Sequence, residues 1–233
     1  MPRLFDHSPL VIAIDGPAAS GKSTVALKLA RRLGLAILDS GAMYRAVTLV
    51  ALEAGTNMQD EEGLRKAAER VREDYRVVCP EVGSPRFFLG PRDITDSIRS
   101  PLVGSAVSLV SIVETVRSEM VELQRGMVAG KGAVVEGRDI GTIVFPDAPL
   151  KVYLDASFEE RVRRRYLELR EKRIPVEKGP VRSEIEKRDL IDSSRERSPL
   201  KVAEGALVID TTSMTVEDVV LSIVGEARRR GLL

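Results

Sequence analysis

Apolar positions along this chain follow two periods. A short unbroken run at 10–14 leads into Val25, Ala26, Leu29, Ala30 and Leu33 at helical spacing, which predicts a strand, a tight loop and a helix. A second run at 35–39 precedes a helix carrying Met43, Ala46, Val47 and Val50, with Gly55 as its stop. Asp60 is placed to cap the next helix, whose stripe is Leu64, Ala67, Ala68 and Val71. The texture then changes. Short β-prone pieces at 75–79, 86–89 and 92–95, separated by turn residues at 81–85 and by Gly90-Pro91, predict an antiparallel meander. Ser100-Pro101 opens one long helix with Val103, Ala106, Val107, Val110, Val113 and Met120, which Gly130 and Gly132 end. Apolar runs return at 133–136 and 150–155. Ser157 to Glu160 has the form of a capping box and starts a helix that ends in a Pro- and Gly-containing loop at 174–180. A polar helix over about 181–197, a strand at 206–210 and a closing helix from near Thr215, with Val216, Val219, Val220, Ile223, Val224 and Ala227, complete the chain.

Five apolar runs separated by helices predict an α/β fold with a five-stranded parallel sheet flanked by helices. The expected organisation is a core from 1–74, a small antiparallel β insert at 75–100, more core at 101–156, a helical lid at 157–197 and a last core piece at 198–233. Ligands should gather beyond the carboxyl ends of the strands.

Composition narrows the function classes. The chain has 233 residues, 43% hydrophobic and 30% charged, with a net charge of +1. That balance provides no global field for nucleic acid or membrane, and no run approaches the roughly 20 residues of a membrane span. Few aromatics and no tryptophan argue against a stacking platform for single strands. The single cysteine, Cys79, fits a reducing compartment, and a cytoplasmic location is expected. His7, the only histidine, reads as a solvated tail residue.

Between the first strand and helix lies Gly16-Pro17-Ala18-Ala19-Ser20-Gly21-Lys22-Ser23, followed by Thr24, which fits the G-x-x-x-x-G-K-[ST] phosphate loop. Its glycines let successive N–H groups turn inward toward phosphate oxygens, and the helix N-terminus adds positive potential. Lys22 is placed to reach the β- and γ-phosphates of ATP, and Ser23 to ligate Mg²⁺. A switch GTPase would need N-K-x-D, which is not found. The chain instead supplies arginines. Arg45, Arg117, Arg138, Arg188 and Arg195 are expected near strand ends or loops and suggest a second phosphorylated ligand, since guanidinium groups hold phosphate bidentately. The basic helix, with Arg161, Arg163, Arg164, Arg165, Arg170, Lys172 and Arg173, reads as a lid over the transfer site or as a solvated face. Asp39 is a helix cap or an indirect magnesium ligand through water.

Together the blocks IDGPAASGKST (14–24), LDSGAMYR (38–45), EGRDIGTIVFPDAPLKVYLDAS (136–157), RDLIDSSRERSPL (188–200) and VIDTT (208–212) resemble the bacterial cytidylate kinase family, in the family's order along nearly the whole chain. The resemblance implies an ATP- and Mg²⁺-dependent kinase acting on CMP and dCMP, working as a monomer, with no nucleic-acid or membrane partner. It implies that Gly16 to Thr24 bind ATP. Ser40, Arg45 and Arg138 would surround the CMP phosphate with Arg188 nearby. Ser108, Arg117 and Asp139 would read the cytosine edge, Asp192 would hold the ribose hydroxyls, and Arg195 would contact phosphate as the site closes. Lys22, Arg138, Arg188 and Arg195 would be the catalytic set. It also makes 75–96 the monophosphate-binding insert. Structural alternatives stand beside these roles: Asp139 bridging arginines, Ser108 as a core serine, and Arg117 as an exposed helix residue. The competing functions are another small-molecule kinase of the UMP, shikimate or dephospho-CoA type, a nucleotide-regulated binding protein, and a nucleic-acid-binding ATPase using the basic helix.

Overall fold

The computed structural model describes residues 9–195 and 198–233. Residues 1–8, His7 among them, and positions 196–197 of the expected lid lie outside the described residues. In chain order the elements are β1 (Val11–Asp15), α1 (Lys22–Leu33), β2 (Ala36–Asp39), α2 (Ser40–Glu53), α3 (Glu61–Asp74), β3 (Tyr75–Val78), β4 (Arg86–Leu89), β5 (Arg92–Asp93), α4 (Pro101–Val110), α5 (Glu114–Val128), β6 (Ala133–Gly137), β7 (Leu150–Asp155), α6 (Phe158–Glu171), α7 (Lys178–Ser194), β8 (Leu207–Asp210) and α8 (Val216–Arg229).

The five expected strands form one parallel sheet in the order β2-β6-β1-β7-β8. β1 is central, so both its faces are covered. Ile12 and Ile14 turn to one side and pack with Val25 and Leu29 of α1 and Val220 and Ile223 of α8. Ala13 turns to the other side, toward the core of α2 to α5. The carboxyl ends of β1, β2, β6, β7 and β8 therefore open at one edge, with the loops after Asp15, Gly137, Asp155 and Asp210 and the start of α2 after Asp39.

The meander is present as the antiparallel sheet β3-β4-β5. Phe87 is fully buried, its ring stacks on Tyr75 at 6.3 Å, and both join the α2–α5 core. The insert thus shares its apolar face with the main body. α6 and α7 have a small cluster of their own, Val162, Leu169, Val181 and Ile185.

Three local expectations are corrected. The helix begun at Ser100 is two helices, α4 and α5, broken at residues 111–113. Ser111 folds its hydroxyl back onto the Ser108 carbonyl at 3.0 Å, and its own carbonyl accepts from the Arg117 side chain at 3.2 Å instead of from a helical N–H. Backbone groups satisfied by side chains in this way let a helix turn. Second, α7 begins at Lys178, so Gly179 and Pro180 lie inside its first turn rather than in a loop. A proline is tolerated there because first-turn N–H groups have no intrahelical partner. Third, Ser157 makes only half a capping box. It accepts the Glu160 N–H at 3.4 Å, but the Glu160 carboxylate is held by Arg163 and Arg164. The complete box is at the start of α8, where Thr215 and Asp218 satisfy each other's backbone.

The two caps make a paired prediction. Thr215→Ala should cost about 1 kcal/mol and lower Tm by about 2–4 °C, and Ser157→Ala should cost less than half of that. Differential scanning calorimetry of both variants checks the order, and a larger loss at Ser157 would contradict the cap geometry.

Candidate active site

The site is built on the loop between β1 and α1. Gly16 sits at φ 150°, and a Cβ there would lie 2.0 Å from the Leu154 carbonyl oxygen. The backbone presses so closely on β7 that no side chain fits. Ala19 and Gly21 also take positive φ, 59° and 94°, and this turns the loop into the helix N-terminus. No side chain caps that terminus, which leaves its N–H groups available to an anion. The Lys22 ammonium donates to the Pro17 carbonyl at 2.6 Å and to Ser20 Oγ at 3.4 Å. Burial, aided by Arg138, pulls its pKa below the ordinary lysine range, while Glu136, Asp15 and Asp192 oppose the shift. Ser23 Oγ donates to Glu136 Oε1 at 2.5 Å. Burial pushes the Glu136 carboxyl up, and Asp39 adds to the push.

The outer wall of the loop is gripped from two sides. The Ala18 carbonyl accepts from Arg161 at 3.3 Å, and the Ser20 carbonyl accepts from Thr211 Oγ1 at 3.1 Å. Arg161 also bonds Asp189 of α7 at 2.5 Å, and Arg164 donates to the Thr211 carbonyl at 2.6 Å. The basic helix α6 therefore divides its charges. Arg161 and Arg164 brace the phosphate loop, Arg163 pairs with Glu160, and Arg165 pairs with Glu168 and faces the cavity. Arg163, Arg170, Lys172 and Arg173 are exposed, so a solvated face describes only that part of the basic stretch.

A cavity of about 820 Å³ runs from residues 18–25 of the loop to Arg45, Arg138, Arg165 and Arg188. A narrower space of about 70 Å³ continues from it, walled by Tyr44, Ser108, Arg117, Asp139, Asp192 and Arg195. Arg45, Glu136, Arg138 and Arg188 line both. Ser40 donates to the Glu136 carbonyl at 2.8 Å, Arg45 to the Ile98 carbonyl at 3.3 Å, and Arg138 Nε to Asp192 at 2.8 Å. Arg188 is pulled down to about 10 by burial and by the neighbouring charges of Arg138 and Arg45. The Nε groups of Arg165, Arg188 and Arg195 are buried and unpartnered among the described residues. Guanidinium groups that crowd one another with spare N–H donors form a site for an anion.

In the narrower space Arg117 is buried, not an exposed helix residue. It bonds Asp139 and lies over the Tyr44 ring, 5.8 Å from its centroid. Asp139 therefore does bridge to an arginine, and Ser108 lies on the wall of the same space. Arg195 donates to Ser111 Oγ at 2.9 Å and bonds Asp192, so here it faces the narrower space and not the phosphate loop. Of the five expected arginines only Arg138 follows a strand. Arg45, Arg117 and Arg188 stand on α2, α5 and α7, and Arg195 caps α7. Asp39 is the N-cap of α2, accepting the Ala42 N–H at 2.9 Å, and it also faces the larger cavity.

Tyr44, Ser111 and Glu136 line the cavities although the sequence pattern gave them no role, and Arg165, expected only as one of the lid's basic residues, lines the larger one. Tyr44 and Glu136 lie inside the SGAMYR and EGRD blocks, where their neighbours drew the attention. Ser111 gave no signal, because a continuous helix was expected there. No group of three or more His, Cys, Asp and Glu side chains among the described residues is arranged to hold a metal. Ser23, Glu136 and Asp39 do set oxygen ligands along one wall of the cavity. That donor set suits Mg²⁺, which takes few protein ligands and completes its shell with water and phosphate oxygens.

The family model described as cytidylate kinase matches residues 12–229. The chain is similar to the curated cytidylate kinase of Caldanaerobacter subterraneus subsp. tengcongensis, 48% identical over 209 residues, covering 90% of each chain. It is likewise similar to the cytidylate kinase of Pelotomaculum thermopropionicum, 49% identical over 213 residues, covering 91% of this chain and 93% of the relative. Among solved structures, an uncharacterized protein from Eubacterium ventriosum shares the fold, with a TM-score of 0.51 at 12% identity over 94% of this chain and 98% of that one.

Proposed function

The chain belongs to the cytidylate kinase family and transfers a phosphoryl group from ATP to CMP, and from that premise we propose which of its residues hold the two nucleotides. The observation that carries the assignment is the line of half-buried arginines, Arg45, Arg138 and Arg188, which lines both the phosphate-loop cavity and the narrower space beside it. The loop amides and Lys22 take the β- and γ-phosphates of ATP. Arg45, Arg138 and Arg188, with Ser40, take the acceptor phosphate. Ser108, Arg117 and Asp139 take the cytosine edge, and Asp192 the ribose.

The chemistry follows from charge. A nucleoside monophosphate has a second pKa of about 6, so its attacking oxygen is already anionic at neutral pH and needs no general base. What the chain must supply is alignment and neutralisation. Lys22 and the arginines carry positive charge into a site with low dielectric, where it acts most strongly. Arg195, drawn from its Ser111 and Asp192 contacts, joins the phosphates as the lid closes. α6 and α7 shut out water that would otherwise consume ATP. Ser23, with Glu136 and Asp39 behind it, would hold Mg²⁺, which neutralises phosphate charge when bound.

The Asp192 carboxylate has Arg138 as a partner with no ribose hydroxyl in place, so dCMP is proposed as a second acceptor. A coupled ADP-release assay over CMP, dCMP, UMP, AMP and shikimate tests the reading. CMP and dCMP should turn over at comparable kcat/KM, with UMP at least tenfold lower. ATP hydrolysis indifferent to CMP would instead favour a nucleotide-regulated binding protein.

A further inference from the structure

Asp15 ends β1, immediately before Gly16, and only 2% of it is exposed. It lines neither cavity. Its carboxylate oxygens accept two consecutive backbone N–H groups, Oδ1 from Ile140 at 2.8 Å and Oδ2 from Gly141 at 2.7 Å. Those residues open a π turn, Ile140–Val144. Such turns are uncommon and tend to lie at functional sites. The turn closes on the Asp139 carbonyl, which accepts from Ile143 at 2.9 Å and Val144 at 3.2 Å. The two residues leading into it are Arg138, on the wall of both cavities, and Asp139, paired with Arg117.

The fit is close. A Cβ on Gly141 would stand 3.3 Å from Asp15 Oδ2, from Ala203 Cβ and from Lys151 Cγ. The contact is also costly. Burial lifts the Asp15 carboxyl to about 6 against the pull of the two N–H groups, and the nearby Asp139 charge adds to the rise. An apolar residue would fill the same volume without that penalty. What the carboxylate supplies is direction, two fixed acceptors that set how the backbone leaves Asp139.

We propose that Asp15 is a positioning residue for the acceptor side of the reaction. Through the Ile140 and Gly141 amides it locks Arg138 and Asp139 to the strand that carries the phosphate loop, so that both nucleotides are held in one frame. The inference rests on the assignment of Arg138 and Asp139 to CMP made above.

Steady-state kinetics of Asp15→Asn, with ATP and CMP varied in turn, test it. A carboxamide accepts from one of the two N–H groups and turns an NH₂ toward the other. Shifts of an ångström in a positioned group cost on the order of a hundredfold. The CMP KM should therefore rise about ten- to a hundredfold, with the ATP KM changed less than threefold. A CMP KM within twofold of the parent, or both KM values rising together, overturns the proposal, because general loosening of the fold would not separate the two substrates. Gly141→Ala is the second variant. It keeps the carboxylate and disturbs the same contact from the other side, so it should show the same split, and it decides the matter if Asp15→Asn does not fold. Failure of the parent protein to phosphorylate CMP would sink the proposed function itself, which neither variant is needed to show.

Discussion

Replacing Lys22 by methionine is expected to lower kcat about a thousandfold and leave the protein at least as stable as the parent. The two halves of that result have different causes. Removing one preorganised charged donor from a transition state typically costs 10²–10³ in rate, about 3–4 kcal/mol. Lys22 is also the only lysine of the phosphate loop. Methionine keeps the length of the side chain and removes the charge, so phosphate is left without its cation at the point where charge accumulates. Stability moves the other way. The ammonium is buried, and its pKa is depressed from the ordinary 10.5 because burial and Arg138 disfavour the charged form. An apolar side chain of similar volume avoids that penalty. The unfolded lysine binds its proton up to the ordinary value, the folded one releases it earlier, and the folded state is therefore penalised most on the acid side. The Tm advantage of Lys22→Met should shrink as the buffer is raised from neutrality toward pH 10. Glu136, already pushed up by burial, takes a proton in the variant instead of remaining as an unpaired carboxylate. A Lys22→Met enzyme with kcat within tenfold of the parent would remove Lys22 from the proposed catalytic set.

What the sequence made legible was local. The phosphate loop could be read because its chemistry is carried by consecutive residues, and its strand and helix by neighbouring apolar positions. Asp60, Ser100 and Thr215 announce helix starts because a cap acts within one turn. The five strands were visible because a sheet covered on both faces demands uninterrupted apolar runs. The missed features depend on partners far along the chain. Nothing near Ser111 predicts that its carbonyl will accept from Arg117 and so end α4. Nothing in the run of arginines on α6 separates Arg161 and Arg164, which reach carbonyls of residues 18 and 211, from Arg163, which stays on its own helix. Asp15 sits inside the recognised block, yet its partners lie 125 and 126 residues away. Pro180 misled for the opposite reason. Its local rule is real but applies to helix interiors, and the start of α7 was placed too late.

Asp139→Asn should have the second large effect, and on two observables at once. Asp139 and Arg117 form an ion pair with side chains 6% and 8% exposed. Arg117 has the Ser111 carbonyl and the Tyr44 ring as further neighbours, but neither carries a countercharge. Breaking such a pair from one side costs about 3–5 kcal/mol, because the remaining charge stays buried. For a chain of this length the loss corresponds to a Tm lower by roughly 6–20 °C. Stability alone would not tie the pair to the nucleotide, so the double variant Arg117→Met with Asp139→Leu is the control. It removes both charges and should recover most of the Tm while the CMP KM remains raised at least tenfold. The base preference should also move. Cytosine offers an amino group that a carboxylate accepts, whereas uracil places a carbonyl oxygen at that position. A buried carboxylate facing that carbonyl would be left unsatisfied, which is how a polar site rejects a near-isostere. Asparagine can turn its NH₂ toward the carbonyl instead. The UMP-to-CMP ratio of kcat/KM should therefore rise in Asp139→Asn, with the ATP KM unchanged within threefold. If the ratio stays at the parent value while Tm falls, Asp139 only balances the charge of Arg117, and the reading of the cytosine edge passes to Ser108 and Arg117 alone.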